Sequence, residues 1–145
     1  QANALANLSV LAGTMGRFAR AAEHGEQALQ LHEQAGSRRG MAIAANSVGV
    51  ALHDGGQPAQ AAAWFARAFE LAEEVRDSYM SMRSLLNRGR ALTALGQWEQ
   101  AERALRRSLF LATQLALAPD LGDCHVALAE LALQRGQLAA AVEQH

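Results

Sequence analysis

The stretch GQWEQAERAL (residues 96–105) decides the fold, because a similar stretch recurs along the chain at a fixed interval. Forty residues earlier the chain reads GQPAQAAAWF (56–65), and eighty residues earlier it reads GRFARAAEHG (16–25). Forty residues later it reads GQLAAAVEQH (136–145). Each copy begins with glycine and has alanine at its sixth position. A repeat of this length predicts a stack of similar structural units.

Small residues occupy four positions of the repeat, in register along the chain. In the order of the repeat, these sets are Ser9, Gly49, Gly89 and Ala129; Gly16, Gly56, Gly96 and Gly136; Ala21, Ala61, Ala101 and Ala141; and Ala28, Ala68 and Ser108. Small side chains at a crossing let two helix axes approach to about 8 Å, and a leucine there would overpack the crossing. The bulky residues beside these sets are therefore predicted to be core residues: Phe18, Phe65, Trp98, Leu105 and Leu138.

Each unit divides into two helical patterns on either side of its glycine. In the second unit, apolar residues follow helical spacing from Ile43 to Val50 and again from Ala61 to Ala72. The two-residue alternation of a strand never persists. Glycine adopts the left-handed conformation at a helix C-terminus without steric cost, which suits a chain reversal. We therefore predict an all-α solenoid of antiparallel helical hairpins, with turns at Gly16, Gly56, Gly96 and Gly136.

The 145 residues have room for one domain, and the period divides it into about 3.5 units. The units cover approximately residues 1–39, 40–79, 80–119 and 120–145. The sequence begins with Gln rather than Met, and the pattern stops within the fourth unit. We therefore expect the chain to be a piece of a longer protein.

The order of small and bulky residues resembles the tetratricopeptide repeat over essentially the whole chain. In the third unit the matching residues are Gly89, Gly96, Trp98, Ala101, Leu105 and Ser108. In the second unit they are Gly49, Gly56, Ala61, Phe65 and Ala68. The chain departs from the family at Pro58 and Gly25, which replace bulky residues, and in its period of 40 rather than about 34 residues. The resemblance implies a right-handed superhelical solenoid, similar to the 40-residue repeats of bacterial signalling and transcription regulators.

Composition gives little reason to expect an enzyme or a charged polymer as partner. The net charge of −1 does not favour nucleic acid or an anionic membrane. The single cysteine, Cys124, excludes an internal disulfide and a multi-cysteine zinc site. Cys124 and His125 point about 100° apart on a helix, and no convergent catalytic groups are recognisable. We predict a non-catalytic cytoplasmic protein with no metal, no cofactor, and neither nucleic acid nor membrane as partner.

A cluster of arginines in the third unit raises the question of nucleic-acid binding. Its members are Arg83, Arg88, Arg90, Arg103, Arg106 and Arg107. Glu99 and Glu102 lie about one helical turn from Arg103 and Arg107, which predicts an ion-paired, solvated face. Aromatic residues for base stacking are few. We therefore interpret the cluster as surface charge rather than as a nucleic-acid site.

The resemblance implies that the first helix of each hairpin lines a concave groove. The groove positions carried onto this chain are Asn3, Asn7, Val10 and Thr14; Ile43, Asn46, Ser47, Val50, His53 and Asp54; Arg83, Leu86, Asn87, Arg90 and Thr93; and Asp123, Val126, Glu130 and Gln134. From these we select as candidate binding residues Asn7, Asn46, His53, Arg83, Asn87, Arg90 and Glu130.

Three of these candidates share one face of one helix, because Arg83, Asn87 and Arg90 follow i, i+4, i+7 spacing. A guanidinium and an amide can hold a carboxylate or the backbone of an extended peptide. The sequence therefore predicts a scaffold that binds an extended or acidic protein segment in the groove. The competing interpretation is that these polar residues are simply exposed surface.

A second function stays open beside peptide binding. The chain could be a structural spacer or a homodimerisation element that holds an attached output domain. Repeat arrays need polar end units, and an unfinished stack exposes apolar edges through which copies can associate.

Overall fold

The computed structural model describes the backbone of residues 2–144 and the side chains of residues 14–144. Within residues 2–144 it contains helices and turns but no strand. The helices are α1 (Ala2–Ala35), α2 (Arg38–Asp54), α3 (Pro58–Glu74), α4 (Ser78–Ala94), α5 (Trp98–Leu115) and α6 (Ala118–Glu143). Each helix packs against the next one along the chain. The predicted all-α solenoid is confirmed.

The 40-residue period consists of two helices and two short turns. Helices α2, α3 and α4 have 17 residues each, and three residues separate one from the next. The turns predicted at Gly56 and Gly96 are confirmed, with φ of +81° and +74°. After Gly56, the Gln57 N–H donates to the Leu52 carbonyl at 2.8 Å, which satisfies a carbonyl at the end of α2.

The turns between hairpins place a residue in the same left-handed conformation. These residues are Gly36, Arg76 and Ala116, with φ of +72°, +56° and +53°. A left-handed residue therefore recurs every 20 residues from 36 to 116. An L side chain in this conformation costs roughly 1–2 kcal/mol, so Arg76 and Ala116 are strained.

The turns predicted at Gly16 and Gly136 are wrong. Both glycines lie inside continuous helices, α1 and α6. Every side chain from residue 132 to residue 144 is exposed, so no packing would stabilise a reversal at Gly136. A Cβ atom at either glycine would have no neighbour within 4 Å. Glycine in a helix interior costs about 1 kcal/mol relative to alanine, and the continued helix keeps its backbone hydrogen bonds.

The small residues of the central units lie at helix crossings, as predicted. Four of them are fully buried: Ala61, Ala68, Ala101 and Ser108. A Cβ atom on Gly49 would lie 2.5 Å from the Phe65 ring, and one on Gly89 would collide with Leu105. The backbone of each first helix therefore touches the bulky core residue of the second helix in the same hairpin.

The corresponding residues outside the central units are not buried in this way. Ala21, Ala129 and Ala141 are exposed, and the side chain of Ser9 lies outside the described residues. Leu138 is 52% exposed, so its prediction as a core residue is wrong. A Cβ atom on Gly25 would lie 2.6 Å from Val48 Cγ2, so glycine there lets α1 approach α2.

The starts of the helices follow sequence signals that recur with the repeat. Ser37 Oγ accepts from the Gly40 N–H at 3.1 Å, and Asp77 Oδ1 accepts from the Met80 N–H at 3.0 Å. Such N-caps contribute about 1 kcal/mol each. Pro58 lies in the first turn of α3, where its missing N–H has no helical partner to lose.

The backbones of alternate helices approach one another on only one side of the stack. Helix α2 contacts α4, and α4 contacts α6, whereas no Cα atoms of α3 and α5 come within 8 Å of each other in the described part of the chain. We call the side formed by α2, α4 and α6 the concave face and the side formed by α3 and α5 the convex face.

None of the described helices is both long and apolar enough to cross a bilayer.

Candidate functional site

The concave face contains the helices that carry most of the predicted binding residues. Six of the seven candidates lie on α2, α4 and α6: Asn46, His53, Arg83, Asn87, Arg90 and Glu130. Asn7 belongs to α1, and its side chain lies outside the described residues. The structure thus brings together the three helices that carry these candidates, and the contacts of the side chains distinguish them.

Asn87 joins two neighbouring repeats. Its Nδ2 donates to Asn46 Oδ1 at 3.2 Å, across the contact between α2 and α4. Asn87 is 7% exposed, so its amide is directed at Asn46 rather than at solvent. A buried amide without a partner would be costly, and the pair therefore specifies how the two helices are aligned. The role of Asn87 in this structure is to connect repeats.

Arg83 is held by two carboxylates of α6. Its Nη1 lies 3.2 Å from Asp120 Oδ1 and 3.6 Å from Asp123 Oδ2. The Arg83 side chain is 30% exposed and that of Asp120 only 12%, so solvent screens the pair incompletely. The two carboxylates offset the guanidinium charge. Arg83 thus connects α4 to α6 and is not a free cation for an acidic ligand.

Two rows of corresponding residues cross the concave face. The first consists of Ile43, Arg83 and Asp123, and the second of Val50, Arg90 and Glu130. In both rows, α2 contributes an aliphatic side chain, α4 an arginine and α6 a carboxylate. Ile43 is 47% exposed and Val50 is 39% exposed.

The second row differs from the first because its charged groups are not paired with each other. Arg90 is partly exposed and makes neither an ion pair nor a hydrogen bond within the described residues. Glu130 is exposed and also has no ion pair there. We call Val50, Arg90 and Glu130 the open row. It presents an apolar, a basic and an acidic group on three adjacent helices.

The described side chains form neither a candidate metal site nor a cysteine–histidine pair. No group of three or more His, Cys, Asp or Glu residues among them could hold a metal ion. Cys124 is buried with its Sγ 3.4 Å from Ser108 Oγ, whereas His125 is exposed. His53 is partly buried in the last turn of α2. Cys124 is therefore a packing residue, and His125 points away from it.

The arginines of α5 are arranged differently from the prediction. Arg106, rather than Arg103 or Arg107, pairs with Glu102, with its Nη2 at 2.9 Å from Oε1. This is the i, i+4 spacing with the glutamate on the N-terminal side, which helices favour. The guanidinium of Arg107 instead lies over the Phe69 ring, 4.8 Å from its centroid. The predicted ion-paired face is therefore limited to one pair.

Comparison with known families agrees with the repeat analysis. Residues 1–74 and 40–114 match a family model described as tetratricopeptide repeat, and residues 122–144 match a second model with the same description. The matches cover most of the chain. Comparison with curated proteins gave no match.

Proposed function

The chain belongs to the tetratricopeptide repeat family, and we propose that its concave face binds an extended segment of a partner protein. Repeats of this family form scaffolds for protein–protein interaction and are generally non-catalytic. One observation above the others supports the specific proposal. The open row exposes an aliphatic side chain, a guanidinium and a carboxylate that do not satisfy one another.

The chemistry of the open row defines the segment that would fit it. Arg90 can bind a carboxylate through two parallel hydrogen bonds. Val50 offers an apolar contact, with Ile43 about two helical turns away on the same helix, and Glu130 can pair with a basic side chain. We therefore propose a segment with an apolar, an acidic and a basic residue in that order, rather than a uniformly acidic one.

Helix geometry sets the spacing of those residues in the ligand. Neighbouring helix axes lie about 8–10 Å apart, and a chain in the polyproline II conformation advances about 3.1 Å per residue with every third side chain on the same side. A segment that crosses α2, α4 and α6 would therefore meet a new helix about every third residue. Its recognition pattern would be an apolar, an acidic and a basic residue separated by two residues each.

The rigidity of the helices that carry the open row supports a role in binding a protein segment. The open row lies on helices that the Asn46–Asn87 hydrogen bond and the Arg83–Asp120 ion pair hold together. Side chains on such a framework need little ordering when a ligand binds, so less free energy is lost in binding. The paired residues of the concave face would thus position the unpaired ones.

A labelled peptide tests the proposal directly. The peptide contains leucine, glutamate and lysine separated by two serines each, and its binding is followed by fluorescence anisotropy. We expect Arg90→Ala to weaken binding about 10- to 100-fold, since a charge-assisted hydrogen-bonded contact contributes about 1.5–3 kcal/mol. Arg106→Ala, which removes the same charge from α5, should change binding less than about twofold.

An exchange of charges makes the test specific. Arg90→Glu should reject the glutamate peptide and bind a peptide with lysine at that position. Equal losses in Arg90→Ala and Arg106→Ala would instead show that the peptide responds only to overall charge. That result would contradict the assignment of the open row.

Self-association is a second candidate function, favoured by exposed apolar residues on α6. Leu138 and Val142 share one face of α6 at i, i+4 spacing and are 52% and 67% exposed. A second copy that covers them would make the chain a dimerisation element for an attached domain. Light scattering should then give a dimer that Leu138→Glu with Val142→Glu converts to a monomer, whereas the control Gln137→Glu with Gln144→Glu leaves it intact.

We also propose the kind of protein to which this scaffold belongs and the compartment in which it acts. The 40-residue period is similar to that of repeats in bacterial signalling and transcription regulators. We infer that the scaffold belongs to such a regulator and acts in the cytoplasm.

A further inference from the structure

A cleft of about 500 Å³ opens between α4 and α5. Its polar lining consists of Arg88, Gln100, Arg103 and Arg107, and its apolar lining includes the buried Leu85 and Leu92. No aspartate or glutamate is among the described residues that line it.

The three arginines of this cleft lack carboxylate partners. The Nε of Arg88 is buried and has no hydrogen-bond partner in the described part of the protein. Arg103 makes no ion pair or hydrogen bond there either. Arg107 stacks on Phe69, an arrangement that holds the guanidinium plane in place and leaves its N–H edges available.

Four arginines outside the cleft are neutralised. Arg38, Arg39, Arg83 and Arg106 each lie within 4 Å of a carboxylate oxygen. The cleft instead brings three positive charges together, and no carboxylate of the described residues lines it. Like charges in a common site repel, and a bound anion would remove that repulsion. It would also supply an acceptor for the buried Arg88 Nε.

We propose that this cleft binds a small molecule through a phosphate group. A phosphate carries up to two negative charges near neutral pH and several tetrahedrally arranged oxygens, so it can accept from several guanidinium groups at once. A carboxylate has one charge and two oxygens in a plane, which match a single arginine fork. Gln100 can donate a further hydrogen bond through its amide.

The size of the cleft indicates that the ligand extends beyond the phosphate. Small-molecule sites typically enclose about 300–1,000 Å³, and the cleft lies within that range. Leu85 and Leu92 provide an apolar surface beside the arginines. A phosphorylated metabolite with an uncharged portion would therefore contact both parts of the lining.

Binding of inorganic phosphate to the full chain tests the site. Calorimetry at constant ionic strength measures affinity, and the arginine Nε–Hε resonances report which guanidinium groups respond. We expect phosphate to shift the Arg88 resonance and Arg103→Ala to weaken phosphate binding at least tenfold. Arg103 is exposed, so this variant should fold normally. Arg106→Ala is the matched control on the same helix, and it should change the affinity less than twofold.

A comparison with malonate, a dicarboxylate, distinguishes binding of phosphate from binding of carboxylates. Malonate should bind at least tenfold more weakly than phosphate. The proposal is overturned if phosphate does not bind, if Arg106→Ala weakens it as much as Arg103→Ala does, or if malonate binds equally well.

The cleft proposal is independent of the open row. Arg88 and Arg90 are two residues apart on α4, so their side chains point to nearly opposite sides of the helix. Arg90→Ala should therefore leave phosphate affinity unchanged, and Arg103→Ala should leave peptide affinity unchanged.

Discussion

Gly56 and Gly96 end helices, whereas Gly16 and Gly136, at the same repeat position, lie inside helices. The alanine of the repeat motif does not distinguish them, because all four glycines are followed five residues later by alanine. What differs is the packing of that alanine. Ala61 and Ala101 are fully buried at helix crossings, while Ala21 and Ala141 are exposed.

This comparison shows that the turn glycine permits a reversal but does not impose one. A reversal breaks backbone hydrogen bonds, and burial of the next helix must offset that cost. In the central units the buried face of α3 or α5 provides this burial. The segment after Gly136 makes no such contact in the structure, so its backbone stays helical.

The largest expected effect comes from the alanine position itself. Ala101→Leu should lower the free energy of unfolding by about 1–3 kcal/mol, because leucine overpacks a closed crossing. Ala141→Leu, the matched change at an exposed position, should stay within about 0.5 kcal/mol. Urea unfolding followed by circular dichroism measures both. A comparable loss in the two variants would mean that residues around 141 are packed like those around 101.

Replacing the repeat glycines by alanine should change stability less, and in opposite directions at Gly96 and Gly136. Gly96→Ala should destabilise the chain by about 1 kcal/mol, because alanine is strained at φ of +74°. Gly136→Ala should stabilise it by about 0.5–1 kcal/mol, because alanine is the better residue in a helix interior. Thermal unfolding of the two variants and the parent reports the signs. Destabilisation by Gly136→Ala would indicate a turn at that position.

The smallest effect is expected at the turns between hairpins, where non-glycine residues are left-handed. Ala116→Gly should stabilise the chain by about 0.5 kcal/mol, since relief of roughly 1–2 kcal/mol of strain is partly cancelled by the greater flexibility of glycine in the unfolded chain. Ala118→Gly is a control at an exposed, helical position, and it should destabilise or leave stability unchanged. Chemical unfolding midpoints at unchanged m-values would distinguish the two.

Helical spacing predicted which helix carries the candidate residues of the third unit but not which partners they pair with. Helical spacing was enough to place Arg83, Asn87 and Arg90 on one helix. The partners of Arg83 and Asn87 lie 37 and 41 residues away, on other helices. Rules for pairs within one helix cannot reach that far, so the sequence did not show that Arg83 is neutralised while Arg90 is not. For the same reason it did not show that Arg88, Arg103 and Arg107 share a cleft.

The sequence by itself determined the all-α class, the 40-residue period and the small residues at the central crossings, because these depend on local spacing and side-chain volume. Tertiary structure alone decided which glycines reverse the chain, which alanines are buried and which arginines remain unpaired. Each of these depends on what lies opposite a residue on a neighbouring helix. Burial and ion pairing are properties of two surfaces in contact, and a repeated motif specifies only one of them.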